Sequence, residues 1–350
     1  MTVKVSHINN YIEAWAPSST KLDYDNVGVL FGSPDHTVNK ILLSLDLTPE
    51  VVDEAVQKGC DLILTHHPII FRGIKSINSE TLQGKSLYLA IHNDIALIAA
   101  HTNLDAAKGG VSYALAETLG LRELAFLSED YYKRRQILAR IEKIQTSQLR
   151  NELQRKFGLI PLVLSGDDSG KKALIEVTAD NWQVSEVMAT ISRFTGNGAD
   201  DIQVLKTERP TPSIGMGVVG AIPGNGMAPG DFLDHIASKL NLKAFRYTGH
   251  PDLVQKVAVC GGAGVSMVTE ARKKGAQALV TADVKYHDFF LDDPSFLLID
   301  VGHYESEIPI VPVMQRRLQE AFPEVEVIPT SVRTNPMNVH LHPITQPNTR

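Results

Sequence analysis

Histidines and carboxylates follow the apolar, strand-like segments of this 350-residue chain at several places. His66 and His67 come directly after the apolar run 62–65, and the pattern His-x-x-x-acid follows two later runs, at 101–105 and 303–307. Imidazole and carboxylate groups together suit divalent transition metals such as Zn, Mn, Fe or Co. The candidate metal ligands are His66, His67, Asp105, His303 and Glu307. Because α/β proteins build their sites at the carboxyl ends of strands, we expect a metal site on that edge.

The spacing of these residues is compatible with two metal ions, or with one ion and a supporting partner. His303 and Glu307 are four residues apart, so a helix would place both side chains on one face. The adjacent His66 and His67 would point to opposite sides of an extended backbone, and would serve two ions or one ion and a supporting partner. Two divalent ions about 3.5–4 Å apart would activate a bridging water and polarise a substrate oxygen. Asp105 or Glu307 would supply the bridging carboxylate.

Three further motifs are less specific. The acidic segment 23–28 either lines the site or caps a loop. The segment 285–288, Lys-Tyr-His-Asp, offers a general acid–base group or a substrate contact, or simply begins an amphipathic helix. The glycine-rich turn 261–264 is similar to a phosphate-binding turn but lacks the full dinucleotide fingerprint. A single histidine after a strand is usually an ordinary loop residue, so the metal-site prediction depends on the joint occurrence of the ligands.

The elements that must position these residues are predicted to form an α/β fold of two similar halves. Segment 51–67 and segment 267–283 share a helix pattern, a Lys-Gly helix end and an apolar run that ends on threonine. Strands that alternate with helices in this way pair in parallel through right-handed crossovers. The helix after Thr48 has proline at its first position and ends at Gly59. We expect the tail past residue 332 to be largely unpacked.

A segment with a different order of predicted strands and helices separates the two halves. Its predicted order is βαββαβ, which is the ferredoxin-like arrangement. We therefore predict an inserted ferredoxin-like α+β domain at 131–209, between a first half at 1–130 and a second half at 210–350. The proline-rich segment 210–212 marks the exit from the insert.

Composition excludes several classes of protein. The net charge is −6 and the isoelectric point is about 6.1, which argues against a nucleic-acid-binding surface. No apolar stretch approaches the ~18–20 residues that a membrane span needs, and the first twenty residues lack the pattern of a signal peptide. The two cysteines, Cys60 and Cys260, are predicted to be buried free thiols in a reducing compartment. These features predict a cytoplasmic protein that binds neither membrane nor nucleic acid.

At the candidate site the chain resembles the Nif-three-like family, also called GTP cyclohydrolase I type 2 homologues or dinuclear-metal-centre hexameric proteins. The resemblance covers residues 1–129 and about 210–335. The matching segments are Asp25-Asn26-Val27-Gly28, Leu64-Thr65-His66-His67-Pro68, His101-Thr102-Asn103-Leu104-Asp105, Thr281-Ala282-Asp283-Val284-Lys285-Tyr286-His287-Asp288 and Gly302-His303-Tyr304-Glu305-Ser306-Glu307.

The resemblance implies a specific site and assembly. The family's metal ligands correspond to His66, His67, Asp105, His303 and Glu307, and His101 matches a position that lines the same cavity. The resemblance further implies a toroidal homohexamer with the metal sites facing its interior. The insert is similar to the PII-like or CutA-like domain of the family's long members. It lacks the glycine-rich stretch with cysteine or histidine expected there, which leaves capping of the ring as its implied role.

Three functional hypotheses follow. In the first, the protein is a hydrolase with two divalent transition metal ions, acting on a nucleotide-like, cyclic or phosphorylated small molecule, with His101 or His287 moving protons. In the second, it is a non-enzymatic metal chaperone or insertase that uses the same ligands without a general acid. In the third, it is a regulatory module whose PII-like insert senses a small ligand.

Overall fold

The computed structural model describes residues 2–131, 134–157, 159–166, 170–180, 183–196, 198–206 and 213–341. The chain divides into two compact units, one formed by residues 1–129 and 214–350 and the other by residues 130–213. The predicted exit segment of the insert, 210–212, lies outside the described residues.

The strands and helices of the described residues are numbered in chain order. The strands are β1 (Gly28–Phe31), β2 (Lys40–Ser44), β3 (Leu62–Thr65), β4 (Ala96–Ala99), β5 (Arg122–Tyr131), β6 (Arg134–Glu142), β7 (Leu162–Gly166), β8 (Lys172–Asp180), β9 (Ile202–Lys206), β10 (Ser213–Ala221), β11 (Arg246–Thr248), β12 (Lys256–Ala263), β13 (Ala278–Ala282), β14 (Leu297–Asp300) and β15 (Glu326–Pro329). The helices are α1 (Val5–Trp15), α2 (Pro49–Lys58), α3 (Leu82–His92), α4 (Thr102–Asp105), α5 (Val111–Thr118), α6 (Thr146–Phe157), α7 (Val184–Ile191), α8 (Pro229–Lys239), α9 (Val268–Lys273), α10 (His303–Glu307) and α11 (Ile310–Ala321).

The first sheet of the larger unit has the order β1-β4-β3-β2-β15, with β1 antiparallel to β4 and the other four strands parallel. Its strands are apolar on both faces because helices cover both. Ile41 and Leu64 face a core that includes α1 and α11, whereas Leu42 and Ile63 face a core that includes α2 and α3. The alternation of neighbouring residues between two cores is the two-residue period of a strand.

The second sheet has the order β11-β14-β13-β12-β10-β5. Strands β12, β13 and β14 are parallel, and β11 is antiparallel to β14 just as β1 is antiparallel to β4. The first four strands of each sheet therefore share one arrangement, which extends the similarity of the segments 51–67 and 267–283 to the strands around them. The predicted α/β class is confirmed.

The smaller unit contains a four-stranded antiparallel sheet of order β7-β8-β6-β9. Helices α6 and α7 pack on one face of that sheet, where their apolar side chains meet Ile137, Ile175 and Val177. Along the chain its elements run β6-α6-β7-β8-α7-β9.

Local signals set the ends of several helices as predicted. The Thr48 side chain accepts the amide N–H of Val51 at the start of α2, and Gly59 ends that helix in the left-handed conformation with φ of 64°. Both cysteines are buried and free. No helix within the described residues combines the length and the hydrophobicity that crossing a bilayer requires.

The expectation of a largely unpacked tail past residue 332 is wrong at Thr334 and Asn335, whereas residues 336–341 are exposed, as expected. Thr334 donates a hydrogen bond to Asp46 (2.7 Å), and the Asn335 amide donates one to Glu305 (2.8 Å). Val332 packs against the core on the α2 side of the first sheet. Residues 342–350 lie outside the described residues.

Candidate metal centre

Three short segments at the carboxyl ends of strands carry the predicted ligands. His66 and His67 follow β3 directly. His101 precedes α4, the single turn that ends in Asp105, and α10 begins at His303 and ends at Glu307. We expected all of these strands to belong to one edge. Instead β3 and β4 belong to the first sheet and β14 to the second, so the cluster joins the carboxyl ends of two sheets.

The expectation that His66 and His67 point to opposite sides is wrong. The strand ends at the preceding residue and the backbone bends, so the two-residue alternation no longer applies. The amide N–H groups of the pair bond to the carbonyls of Ser44 (3.2 Å) and Leu45 (2.8 Å). As a result the two ring centroids lie 4.9 Å apart, and both rings face Glu307.

Each of the four imidazoles is held at Nδ1 by an oxygen atom 2.8 Å away. The pairs are His66 with the Ala100 carbonyl, His67 with Asp46, His101 with Asp25 and His303 with Asp283. Such a partner makes Nδ1 the protonated nitrogen of a neutral imidazole and leaves a lone pair on Nε2. The rings are therefore oriented as metal-ligating histidines usually are.

The carboxylates meet these lone pairs at short distance. Glu307 lies 3.0 Å from Nε2 of both His67 and His303, and 3.7 Å from Nε2 of His66. Asp105 lies 3.6 Å from Nε2 of His66. Lone pairs and carboxylate oxygens repel one another unless a cation or protons lie between them.

Three buried atoms of this cluster have no hydrogen-bond partner among the described residues. They are His66 Nε2, Asp105 Oδ1 and Glu307 Oε2. Leaving a buried polar atom unpaired costs about 1–3 kcal/mol, and more for a charged group. All three atoms are of ligand type and belong to side chains predicted to bind metal. The donor set therefore fits divalent transition metals.

The pKa values show the same need for positive charge. Burial would raise the pKa of Glu307, but the facing imidazoles of His303 and His66 hold it well below its usual range. Burial would lower the pKa of His67, yet the Asp46 and Glu307 carboxylates raise it to about 10. The hydrogen bond with Glu307 raises the pKa of His303 to about 9 despite partial burial.

The pKa of Asp105 is shifted upward, in the opposite direction from that of Glu307. Burial and the negative charge of Glu307 raise its pKa to about 6, although His66 opposes the change. Two carboxylates in one buried site disfavour each other's charge, so a cation between them would stabilise both.

The ligand atoms form two groups of three, each with its atoms within 4.8 Å of one another. His66, His67 and His101 form one group, and His67, His303 and Glu307 form the other. His101 thus lies beside two predicted ligands, at the wall of the cavity where the sequence motifs led us to expect it.

The structure does not bring His287 to this cluster. It lies in a single turn of 3-10 helix, Tyr286–Phe289, and is exposed. Its ring contacts within the described residues are with Tyr286 and Phe290. The segment 285–288 therefore contributes no contact to the cluster, although Asp283 just before it does.

Three residues contribute to the site in ways that were not predicted from the sequence. Asp46 accepts the hydrogen bond from His67, and Asp283 accepts the one from His303. Asp283 ends segment 267–283 where His67 ends segment 51–67, so the repeat in the sequence could have pointed to it. Gly262 has φ of +63°, and a Cβ there would lie 2.6 Å from Glu307 Oε1. The turn 261–264 thus gives the carboxylate room, a role that the sequence pattern does not distinguish from phosphate binding.

A family model described as Duf34/NIF3 (NGG1p interacting factor 3) matches residues 3–336. The chain belongs to the Duf34/NIF3 family. The resemblance noted from the sequence motifs is confirmed, and the family match extends across both halves and the segment between them.

Relatives and solved structures agree with this membership. A GTP cyclohydrolase 1 type 2 homolog of Halalkalibacterium halodurans is 30% identical over an aligned length of 363 residues, gaps included, and the match covers 93% of this chain and 95% of the relative. One from Clostridium acetobutylicum is 28% identical over 325 residues, 92% of this chain and 91% of the relative. The crystal structure of a Bacillus cereus protein related to NIF3 has a TM-score of 0.73 at 28% identity, covering 97% of this chain and 100% of that one.

Proposed function

We propose that this NIF3-family protein is a hydrolase that depends on two divalent transition metal ions. The observation that carries the proposal is the convergence of histidine nitrogens and carboxylates from both sheets, together with three buried ligand atoms that lack hydrogen-bond partners among the described residues. A purely structural cluster would pair these atoms with one another, because unpaired buried polar atoms are costly.

In this proposal His66, His67, Asp105, His303 and Glu307 hold the ions. Two ions bound there would lower the pKa of a water molecule and polarise a substrate oxygen. The protein's own part is to orient the donors: Asp46 and Asp283 fix two rings, and burial of His66 and Glu307 keeps solvent from the inner side.

His101 is the proposed proton-transfer residue. Asp25 accepts its Nδ1–H, and the same carboxylate accepts the amide N–H of Thr102 (3.0 Å), so the aspartate is itself fixed. This pairing leaves Nε2 of His101 free to accept or give a proton at the substrate. His287 is not retained in this role because it contacts no residue of the cluster.

The substrate class is proposed as a small molecule with a hydrolysable bond, nucleotide-like or phosphorylated. Support comes from the relatives' name, GTP cyclohydrolase 1 type 2 homolog, and from a ligand set suited to polarising an oxygen.

The test is turnover of the metal-loaded full chain on a panel of nucleotides and phosphate esters, followed by mass spectrometry for addition of water. We expect turnover that needs added metal, is lost in Glu307→Ala, and survives in Glu320→Ala, an exposed acid on α11. His101→Asn should keep its metal and lose about 10²–10⁴-fold in rate. A metal-delivery protein would instead carry metal with no turnover on any compound, and that outcome would contradict the proposal.

Three further features are proposed. The order β7-β8-β6-β9 and the sequence of elements support a ferredoxin-like insert. A toroidal homohexamer and a cytoplasmic location are carried over from the resemblance and the composition. Sedimentation equilibrium tests the assembly: a mass far from six times the 38.4 kDa of one chain would exclude it.

A further inference from the structure

Two aromatic side chains lie beside the metal cluster and are only partly covered. Tyr24 is 63% exposed and Phe71 is 39% exposed. Their ring centroids are 5.8 Å apart and their planes are inclined by 54°. Large aromatic rings are usually buried in folded proteins, so two contacting rings that are exposed beside a candidate site indicate a binding surface. Within the described part of the chain, the Tyr24 hydroxyl has no hydrogen-bond partner.

The pair is joined to the site through both of its loops. The Phe71 ring meets the His101 ring edge to face, with centroids 6.3 Å apart. Tyr24 immediately precedes Asp25, whose carboxylate holds His101. The Asn26 amide donates a hydrogen bond to the Ile70 carbonyl (2.6 Å), which ties the two loops together. The rings are thus held next to the proposed proton-transfer residue rather than on a free surface loop.

Positive charge follows on the same loop. Arg72 and Lys75 are both exposed, and neither forms an ion pair with any described residue. The cluster itself carries the carboxylates Asp105 and Glu307, whose charge bound metal would offset. Arg72, next to Phe71 in the sequence, therefore offers to an anionic group a positive charge that is unpaired among the described residues.

We propose that Tyr24 and Phe71 form a subsite that stacks a planar heteroaromatic ring of the substrate, with Arg72 contacting an anionic substituent. Every heteroaromatic base has a π-face, and stacking on protein aromatic rings is strong enough to contribute measurably to binding. The inference rests on the proposed function for the reaction at His101, but binding of a ring needs no turnover.

The experiment compares two probes on the full, zinc-loaded chain by isothermal titration calorimetry. Guanosine 5′-monophosphate carries a ring and a phosphate, and ribose 5-phosphate is its ring-free counterpart. We expect wild type to bind the nucleotide at least about tenfold more tightly than the sugar phosphate. Phe71→Ala and Tyr24→Ala should remove most of this difference, and Phe71→Trp should restore it. Arg72→Gln should weaken both probes.

The matched control is Ile77→Ala, an apolar residue of the same loop that is 46% exposed. It should bind both probes as wild type does. Equal binding of the two probes by wild type, or nucleotide binding unchanged in both aromatic variants, would overturn the subsite. Metal content is measured on every sample. Metal present without ring selectivity overturns this inference alone, whereas metal absent from wild type overturns the proposed function.

Discussion

At the residue scale, the candidate centre depends on the hydrogen bond that each histidine makes through Nδ1. All four rings have Nδ1 paired with an oxygen at 2.8 Å, and Nε2 of His66, His67 and His303 faces the Glu307 carboxylate. The ligand types and their strand-end positions could be predicted from the sequence. Their common direction could not, because it depends on the bend after β3 and on Asp46, which lies twenty-one residues before His67.

Gly262 offers a test of how closely the backbone approaches the cluster. A methyl group there would meet Glu307 Oε1 at 2.6 Å and His303 Cε1 at 3.4 Å. We expect Gly262→Ala to displace the Glu307 carboxylate and to lower zinc affinity by about 10–100-fold, the range seen when groups that support a ligand are lost. Affinity is measured by competition with a chromophoric chelator.

Gly275→Ala is the matched control for that substitution. Gly275 also has a positive φ, 75°, but a Cβ there would meet nothing within 4 Å. Both variants carry the backbone strain of a non-glycine residue at positive φ, so both should lose stability. Only Gly262→Ala should lose zinc affinity, and equal affinities in the two variants would contradict the contact.

At the element scale, helices with local signals were predicted well and segments held by distant partners were not. The start and end of α2 follow from Thr48, Pro49 and Gly59, which act within a few residues of themselves. The C-terminal segment after β15 has no such signal. Its hydrogen bonds are to Asp46 and Glu305. The polar, proline-rich composition of the segment does not indicate that these two acids lie near it in the fold.

Glu54 on α2 holds the start of the same segment, and its carboxylate makes the stability of the fold depend on pH. Its carboxylate accepts hydrogen bonds from Lys58 (2.7 Å), from the Ser331 amide (2.9 Å) and from Thr330. Burial would raise the pKa of Glu54, but these bonds lower it from 4.5 to about 2. The unfolded chain therefore binds more protons between these values, so Glu54 contributes stability above pH 4.5 that is lost as the pH falls through about 2.

We expect Glu54→Gln to lower stability at neutral pH and to make it less dependent on pH between 4.5 and 2. The measurement is the midpoint of urea unfolding of the metal-free chain across that range. Asp53→Asn, which changes an exposed carboxylate on the same helix, should leave the midpoint and its slope with pH unchanged. A Glu54→Gln variant with the wild-type pH slope would show that the segment is not held by this charge.

At the scale of the whole molecule, the α/β class and the family could be predicted, because the alternation of strands with helices and the family's motifs can be recognised in a single sequence. The allocation of strands to two sheets could not. β15 completes the first sheet beside β2 although it follows the second half of the chain. Pairing between such distant strands depends on tertiary packing rather than on local pattern. The site needs both sheets, since His66 and His67 come from one and His303 and Glu307 from the other.

We propose that these two sheets together form a site for two metal ions. The most direct test of this proposal is elemental analysis by inductively coupled plasma mass spectrometry of the full chain, purified without affinity tag or chelator and then reconstituted. Wild type is compared with Glu307→Ala and with the exposed-acid control Glu320→Ala. We expect about two equivalents of transition metal per chain in wild type and control, and a sharp fall in Glu307→Ala. Metal well below one equivalent in wild type, unchanged by the Glu307 substitution, would contradict it.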